Sequence, residues 1–254
     1  MRALVTGAGH GLGRALSKEL LDQGYELVLV DRDAEALNEI TAAHQRGACT
    51  PRTVNLTNFD AVNRLLQHLA GQKFDLVILN AGISATGKFE EIPADVYDKV
   101  IAVNFEAPLY LASHLVGGGH MAPKSKIVFI SSLSHAVGYP GAAVYAATKD
   151  AIAAYARCVA KPFKKKKVRI LTVFPGPIKT DHADRHAPEG SDPSKRMAPE
   201  KMAKLILKTA KRGTTIYYPG VTAYFAAIFG KTFPVLSTRI MRRHLLDKMK
   251  GPIY

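Results

Sequence analysis

The sequence predicts one α/β domain, a doubly wound parallel sheet with helices on both faces, followed by a helical extension. Three observations lead there. Short β-branched runs alternate with longer stretches of helical periodicity through the first two hundred residues, the order expected of parallel strands joined by right-handed crossovers. Most of those runs are apolar throughout rather than alternating, as strands covered on both faces are. A chain of 254 residues is long enough to bury one large core and ordinary in size for a single domain of this class.

In chain order, strands are expected at 3–6, 26–30, 53–56, 75–79, 126–131, 168–174 and 214–218. Helices are expected at 12–23, 33–46, 58–70, a long pair over 94–116, 143–163 and 199–211. Gly117, Gly118 and Gly119 end the long pair, because glycine accepts the left-handed conformation of a helix C-cap. Two stretches break the rhythm. Residues 181–199, rich in Pro, Ser, Asp, His and Arg, read as a mobile loop or lid. Residues 219–254 form an apolar and then basic appendage, which leaves 1–218 as the domain proper.

Composition narrows the function. A hydrophobic share of 47% against 22% charged excludes a disordered chain. The two cysteines, Cys49 and Cys158, fall in unrelated elements, which argues against a disulfide framework and for a reducing, cytoplasmic setting. The first strand begins at once, so a cleaved signal peptide is not expected. The net charge is +14, yet residues 201–254 hold 11 Lys and Arg against Asp247 alone. That charge belongs to the tail and is separate from the domain's chemistry. The apolar run 221–230 is too short to span a bilayer, which takes about 20 residues. Four lysines at 164–167 close a helix, where cations suit the negative end of the dipole. No aromatic stacking platform accompanies them, so nucleic acid is not expected as a partner.

Two constellations carry chemistry. Directly after the first strand stand Thr6, Gly7, Gly9, His10, Gly11, Leu12 and Gly13, leading into a helix. Glycines there let the backbone turn tightly and approach a pyrophosphate, whose charge meets free N–H groups at the helix N-terminus. A glycine-rich turn without a ligand is the bland alternative. Asp31 closes the second strand, 18 residues after Gly13. An acid there suits the ribose hydroxyls of NAD and repels the 2′-phosphate of NADP; it would equally serve as the N-cap of the next helix. His10, Arg14 and Arg32 lie in the same region and weaken that preference, which leaves NAD favoured over NADP.

Tyr145 and Lys149 stand four apart in a helical pattern and project from one face. A phenol ordinarily keeps its proton to about pH 10. A neighbouring ammonium stabilises the phenolate and moves the group toward acid–base work near neutrality. A solvated Tyr/Lys pair is the alternative. Here, however, the pair follows a strand ending at Ser131 and Ser132, on the edge where open α/β sheets place ligands.

These pieces, together with Asn80, Ala81, Gly82, Asn104 and the run Pro175-Gly176-x-x-x-Thr180, resemble the short-chain dehydrogenase/reductase (SDR) family in its compact, single-domain form. They match in order and in spacing, including the thirteen residues from Ser132 to Tyr145. The resemblance covers residues 1–218 and stops before the tail. It implies a Rossmann-type fold and an NAD(P)-dependent oxidoreductase acting on a small alcohol or ketone. It also implies a homodimer or homotetramer paired through helices at 103–116 and 143–163. Leu109, Leu111, Ala112 and Leu115, with Ala147, Ala151, Ala154 and Cys158, are expected to supply that surface.

The resemblance assigns roles as well. Tyr145 is the general acid and base, and Ser132 holds the substrate oxygen. Lys149 lowers the tyrosine's pKa and holds the nicotinamide ribose. Asn104 anchors a water that links Lys149 to solvent, although an Asn satisfying a helix kink would look the same. Asn80 braces the central strand beside the cofactor, which Ala81 and Gly82 also meet; Thr180 and the Pro175-Gly176 turn border the nicotinamide, with Ile178 offering its backbone. Where the family often places an Asp toward adenine, this chain has Asn55 between Val54 and Leu56, an acceptor without the charge.

Two other functions stay in view, a non-catalytic NAD(P)-binding regulator and a reductase of a lipid-like substrate held at a membrane surface. The intact set of Ser132, Tyr145 and Lys149 argues against the first. The second rests on the tail, where Tyr217, Tyr218, Tyr224, Phe225, Phe229 and Phe233 precede Arg239, Arg242, Arg243, Lys248 and Lys250. An apolar segment followed by a basic amphipathic helix suits an anionic membrane surface; packing over the substrate cleft or against another subunit are the alternatives. His182 and His186 are spaced i, i+4 in the lid and read as solvated. A metal needs three or four converging ligands, and none is expected.

Overall fold

The computed structural model describes residues 1–44, 47–188, 190–249 and 251–254. Seven strands, β1 (Arg2–Thr6), β2 (Glu26–Asp31), β3 (Cys49–Thr53), β4 (Phe74–Leu79), β5 (Met121–Ile130), β6 (Arg169–Val173) and β7 (Ile216–Tyr217), form one sheet in the order β3-β2-β1-β4-β5-β6-β7. Every pairing is parallel. The chain winds outward from β1 to β3, then returns to lay β4 against the other side of β1. That reversal makes a switch point between β1 and β4, whose carboxyl ends open a crevice.

Helices α1 (Gly11–Asp22), α2 (Ala34–Ala42), α3 (Phe59–His68), α4 (Ala94–Ile101) and α5 (Ala107–Gly117) precede or flank the sheet's centre. Then follow α6 (Ser134–Val137), α7 (Ala143–Lys165), α8 (Asp181–Arg185), α9 (Pro199–Ala210), α10 (Val221–Thr232) and α11 (Pro234–His244). Two core layers result. Leu4 of β1 joins Leu65, Leu111, Leu115 and Ile152 on one face; its neighbours Ala3 and Val5 join Leu16, Leu20, Leu37 and Ile206 on the other. Successive strand residues point to opposite faces, so the uninterrupted apolar runs are what a twice-covered sheet requires.

Five expectations are corrected. The third strand runs over Cys49–Thr53 rather than 53–56. It pairs only with β2, and Pro51, which lacks an N–H, is tolerated on such an edge. Val54 and Leu56, whose apolar character suggested the strand, are buried as the chain leaves it. The second helix ends at Ala42, and residues 45 and 46 lie outside the described part. The long pair is one continuous helical run, Ala94–Gly117, with a π-helical turn at Ala102–Glu106. This run is long and apolar enough to cross a membrane, with a mean hydropathy of 1.2. Its Val100, Leu111, Ala112 and Leu115 are nevertheless fully buried in the core. Three of those residues are therefore spent inside the chain rather than offered for assembly, while Ala147 and Cys158 of α7 stay exposed. The lid is partly helical, as α8 and a 3-10 turn at Pro193–Lys195 show.

Candidate active site

The turn from β1 into α1 presents backbone rather than side chains to the crevice. Gly7 and Gly11 have φ of +65° and +48°, the left-handed region that favours glycine. A Cβ on Gly13 would lie 1.8 Å from the Gly7 carbonyl oxygen, so α1 rests on the turn with no space for a side chain. The hydroxyl of Thr6 accepts the N–H groups of Asn80 at 3.0 Å and Ala81 at 3.1 Å. Asn80 Nδ2 in turn donates to the carbonyls of Thr6 and Gly7 at 3.1 and 3.2 Å. The ends of β1 and β4 are thereby locked together. Asp33 and Asn58 cap α2 and α3, whereas His10 makes no side-chain cap on α1 and its first turn holds no acid. Those N–H donors and the cradle that a Cβ would fill fit a pyrophosphate.

Asp31, at the end of β2, leans over this turn. One carboxylate oxygen accepts Gly9 N–H at 2.9 Å and the other accepts Asp33 N–H at 3.1 Å. The N-cap of α2 is Asp33, not Asp31. Two of the three nearby basic residues meet acids, His10 with Asp33 at 2.8 Å and Arg14 with Glu39 at 2.8 Å; Arg32 is exposed. Asn55 is exposed, with its amide oxygen turned to the N–H and hydroxyl of Thr57 at 3.1 and 3.0 Å. Leu12 and Leu56 point into the core, so only their backbone can face a ligand.

At the carboxyl end of β5 the second constellation assembles. Tyr145 is half-buried; the loss of water around it pushes its pKa up, against an opposing hydrogen bond from Ser132. The lowering expected from Lys149 is not what dominates here. Lys149 Nζ lies 5.7 Å from the Tyr145 ring centroid and donates to the Ile130 carbonyl at 3.0 Å. Burial brings its pKa down to about 8. Ser131, which the spacing passes over, donates its hydroxyl to the Lys149 carbonyl at 2.7 Å, so Lys149 is tied to β5 at both backbone and side chain. Asn104 sits in the π-helical turn and is almost fully buried. Its Oδ1 accepts Ile83 N–H at 2.8 Å, and its Nδ2 donates to the Ile83 carbonyl at 2.9 Å and Thr148 Oγ1 at 3.1 Å. The side chain clamps the segment after β4 onto α7. A Cβ on Gly82 would meet Lys149 Nζ at 3.1 Å and Asn104 Oδ1 at 3.4 Å, so all three groups converge on one point.

The profile of the short chain dehydrogenase family matches residues 1–190. The chain belongs to that family. It is 32% identical to a hydroxynaphthalene reductase-like protein, Arp2, of Metarhizium anisopliae, over 73% of this chain and 71% of the relative. Similarity to trihydroxynaphthalene reductase of Colletotrichum orbiculare is 30%, over 70% of this chain and 65% of that protein. Among solved structures, a short-chain dehydrogenase of Sphingobium yanoikuyae in complex with NADPH superposes with a TM-score of 0.78 at 22% identity, covering 93% of this chain and 95% of that one. A 4-hydroxyisoleucine dehydrogenase complexed with NADH gives 0.75 at 21%, covering 85% and 96%. These establish the Rossmann-type fold.

In this short-chain dehydrogenase the cleft walls come from segments that sequence reasoning left apart. Pro175 is buried and Gly176 lies beside Leu133 and Ala223. Ile178 pairs with Met197 across the lid. Thr180 caps α8 through Ala183 N–H at 3.1 Å and sets its methyl near Gly11. The lid is pinned by Arg196, whose guanidinium meets Asp184 at 2.6 Å. His182 and His186 are half-buried with rings 4.7 Å apart, not solvated; burial brings His182 down to about 4. His186 Nδ1 lies 3.0 Å from Thr86 Oγ1. Thr86 pairs in turn with Ile253 through two backbone bonds of 2.8 Å. The tail thus folds back onto the cleft edge, with Met249 Sδ against Gly141 and Pro252 against Gly87. Among the described residues no group of three His, Cys, Asp or Glu gathers to hold a metal ion. Their spacing marks the two histidines in the sequence but not their burial; nothing local in the sequence flags Thr86 or Ile253.

Proposed function

We propose that the chain is an NAD(P)-dependent reductase of a small ketone, or in reverse a dehydrogenase of the alcohol, with Tyr145 as general acid and base. The convergence of Ser132, Tyr145 and Lys149 beside the glycine turn carries this reading. The nicotinamide cofactor, when bound, supplies or accepts the hydride at the carbonyl carbon. The Tyr145 hydroxyl gives its proton to the carbonyl oxygen as the hydride arrives, and its raised pKa keeps that proton in place at neutral pH. Ser132 donates a hydrogen bond to the same oxygen and steadies the developing charge. Lys149, held between Ile130 and Ser131, faces the ribose side and offers an ammonium that stabilises the phenolate left behind. Asn104 fixes the helix turn that presents Lys149 and holds, through the free lone pair of its amide oxygen, a water leading to solvent. Gly7, Gly9, Gly11 and Gly13 receive the pyrophosphate, Asp31 the adenosine ribose, Asn55 the adenine, and Pro175 through Thr180 the nicotinamide side.

Asp31, with Arg14 held by Glu39 and His10 by Asp33, favours NAD over NADP. The exposed Ala147 and Cys158 on α7, with Ala151 and Ala154 half-buried between them, support a homodimer or homotetramer, and the two unpaired thiols support a cytoplasmic setting. A panel of ketones with both reduced nucleotides, followed by nucleotide absorbance, tests the activity. Turnover of a ketone that vanishes in Tyr145→Phe is expected. Nucleotide binding with no turnover across the panel would support the regulator instead.

A further inference from the structure

The two helices beyond β7 invert the usual polarity of a surface helix. Toward the protein they present small groups. Ala223 and Ala227 are buried, and Gly230 lies so close to α6 that a Cβ would meet the Ala136 carbonyl oxygen at 2.3 Å. Ser237 donates its hydroxyl to the Val137 carbonyl at 3.0 Å. Toward solvent they present Val221, Phe225, Phe229, Phe233, Val235 and Leu236, each 39 to 74% exposed. A helix facing water carries polar residues on its outer side, and a contiguous apolar patch of this kind marks an interaction surface. At the elbow between α10 and α11 an open depression of about 280 Å³ is lined by Phe233, Pro234, Val235, Leu236 and Arg239. Arg239, Arg242 and Arg243 stand exposed beside it on α11; Asp247, 3.7 Å from Arg242, is the single acid of residues 219–254.

We propose that this face docks on an anionic lipid bilayer, its large apolar side chains entering the headgroup–acyl boundary while the arginines meet lipid phosphates. A second copy fits less well, because a two-fold contact sets the same arginines against each other. The same helices roof the cleft, with Ala223 Cβ 4.0 Å from where a Gly176 Cβ would stand, so docking brings that roof onto the lipid.

Flotation of the full chain with vesicles of phosphatidylcholine, with and without phosphatidylglycerol, tests this. The chain is expected to float only with the anionic vesicles and to be released by high salt. Replacing Arg239, Arg242 and Arg243 together by Gln is expected to weaken partitioning on the order of a hundredfold, at about fivefold for each charge near the surface. Phe225→Ser combined with Leu236→Ser is expected to weaken it at least about tenfold, with circular dichroism and turnover in lipid-free buffer unchanged. Protein that stays below with both vesicle types overturns the proposal, as does equal flotation with both. A dimer that Phe225→Ser with Leu236→Ser dissociates, with no flotation, assigns the face to self-association instead.

Discussion

Replacing Asp31 by Asn separates the architecture of the glycine turn from its electrostatics. The carboxylate holds Gly9 N–H at 2.9 Å and Asp33 N–H at 3.1 Å; Asn keeps an acceptor for Gly9 and discards the charge. Two unit charges 4 Å apart are worth about 1 kcal/mol in water and about 4 kcal/mol at the effective dielectric near a protein surface. A 2′-phosphate held against a half-buried carboxylate falls between these limits. Asp31→Asn is therefore expected to shift the ratio of NADP to NAD dissociation constants toward NADP by ten- to a hundredfold, on the order of 2 kcal/mol. Asp31→Ala adds a structural loss, since Gly9 N–H then lacks an ionised acceptor worth about 1.5–3 kcal/mol. Its thermal midpoint should fall by several degrees, at roughly 2–4 °C for each kcal/mol in a chain of this size. Fluorescence titration of both nucleotides into the wild type and both variants, with thermal melts alongside, measures each part. A wild type that already binds NADP more tightly, or a ratio that Asp31→Asn leaves unmoved, refutes the reasoning.

Tyr145→Phe is expected to lower turnover at least about a hundredfold with nucleotide affinity little changed; steady-state rates and titration on one preparation check it, and retained turnover in a folded variant ends the mechanism. The Lys149 ammonium loses its proton as pH rises past about 8, so affinity for the anionic nucleotide should fall there. The unfolded chain still binds that proton up to about pH 10.4, so the free protein should gain stability between those values; Lys149→Met is expected to flatten both profiles. Gly87 has φ of +143° and a Cβ there would meet Pro252 Cα at 2.8 Å. Gly87→Ala should therefore unseat the segment that closes the cleft, raising KM severalfold more than it lowers kcat, with the melting curve nearly unchanged.

What the sequence made legible is what chemistry fixes along a single element. The turn after β1 needs glycines at set positions because α1 lies within touching distance of it. Tyr145 and Lys149 must share a helix face, and four-residue spacing is enough to say so. Asp31 was legible as a strand-end acid, but its hold on Gly9 was not, because that contact depends on how β2 is staggered against the turn. The third strand was misplaced because burial of Val54 and Leu56 imitates strand patterning in a segment that has already left the sheet. Ser131 was passed over for its neighbour Ser132, since only tertiary packing decides which hydroxyl faces the Lys149 backbone. The lid histidines looked solvated because composition reports polarity, whereas in the fold their rings lie against each other and His186 meets Thr86.

The join between Thr86 and the tail has a consequence for the order in which the molecule comes together. Thr86 meets His186 across 100 residues of chain and Ile253 across 167, while β1 finds β2 over little more than a helix. Closing long loops is entropically expensive and slow, so the sheet and its glycine turn should form first and the cleft edge last. Contacts made last on a stable scaffold tend to open first. Backbone amides of Thr86 and Ile253 should exchange with deuterium well before those of Val5 or Ile78, and the cleft edge would breathe on a sheet that stays closed.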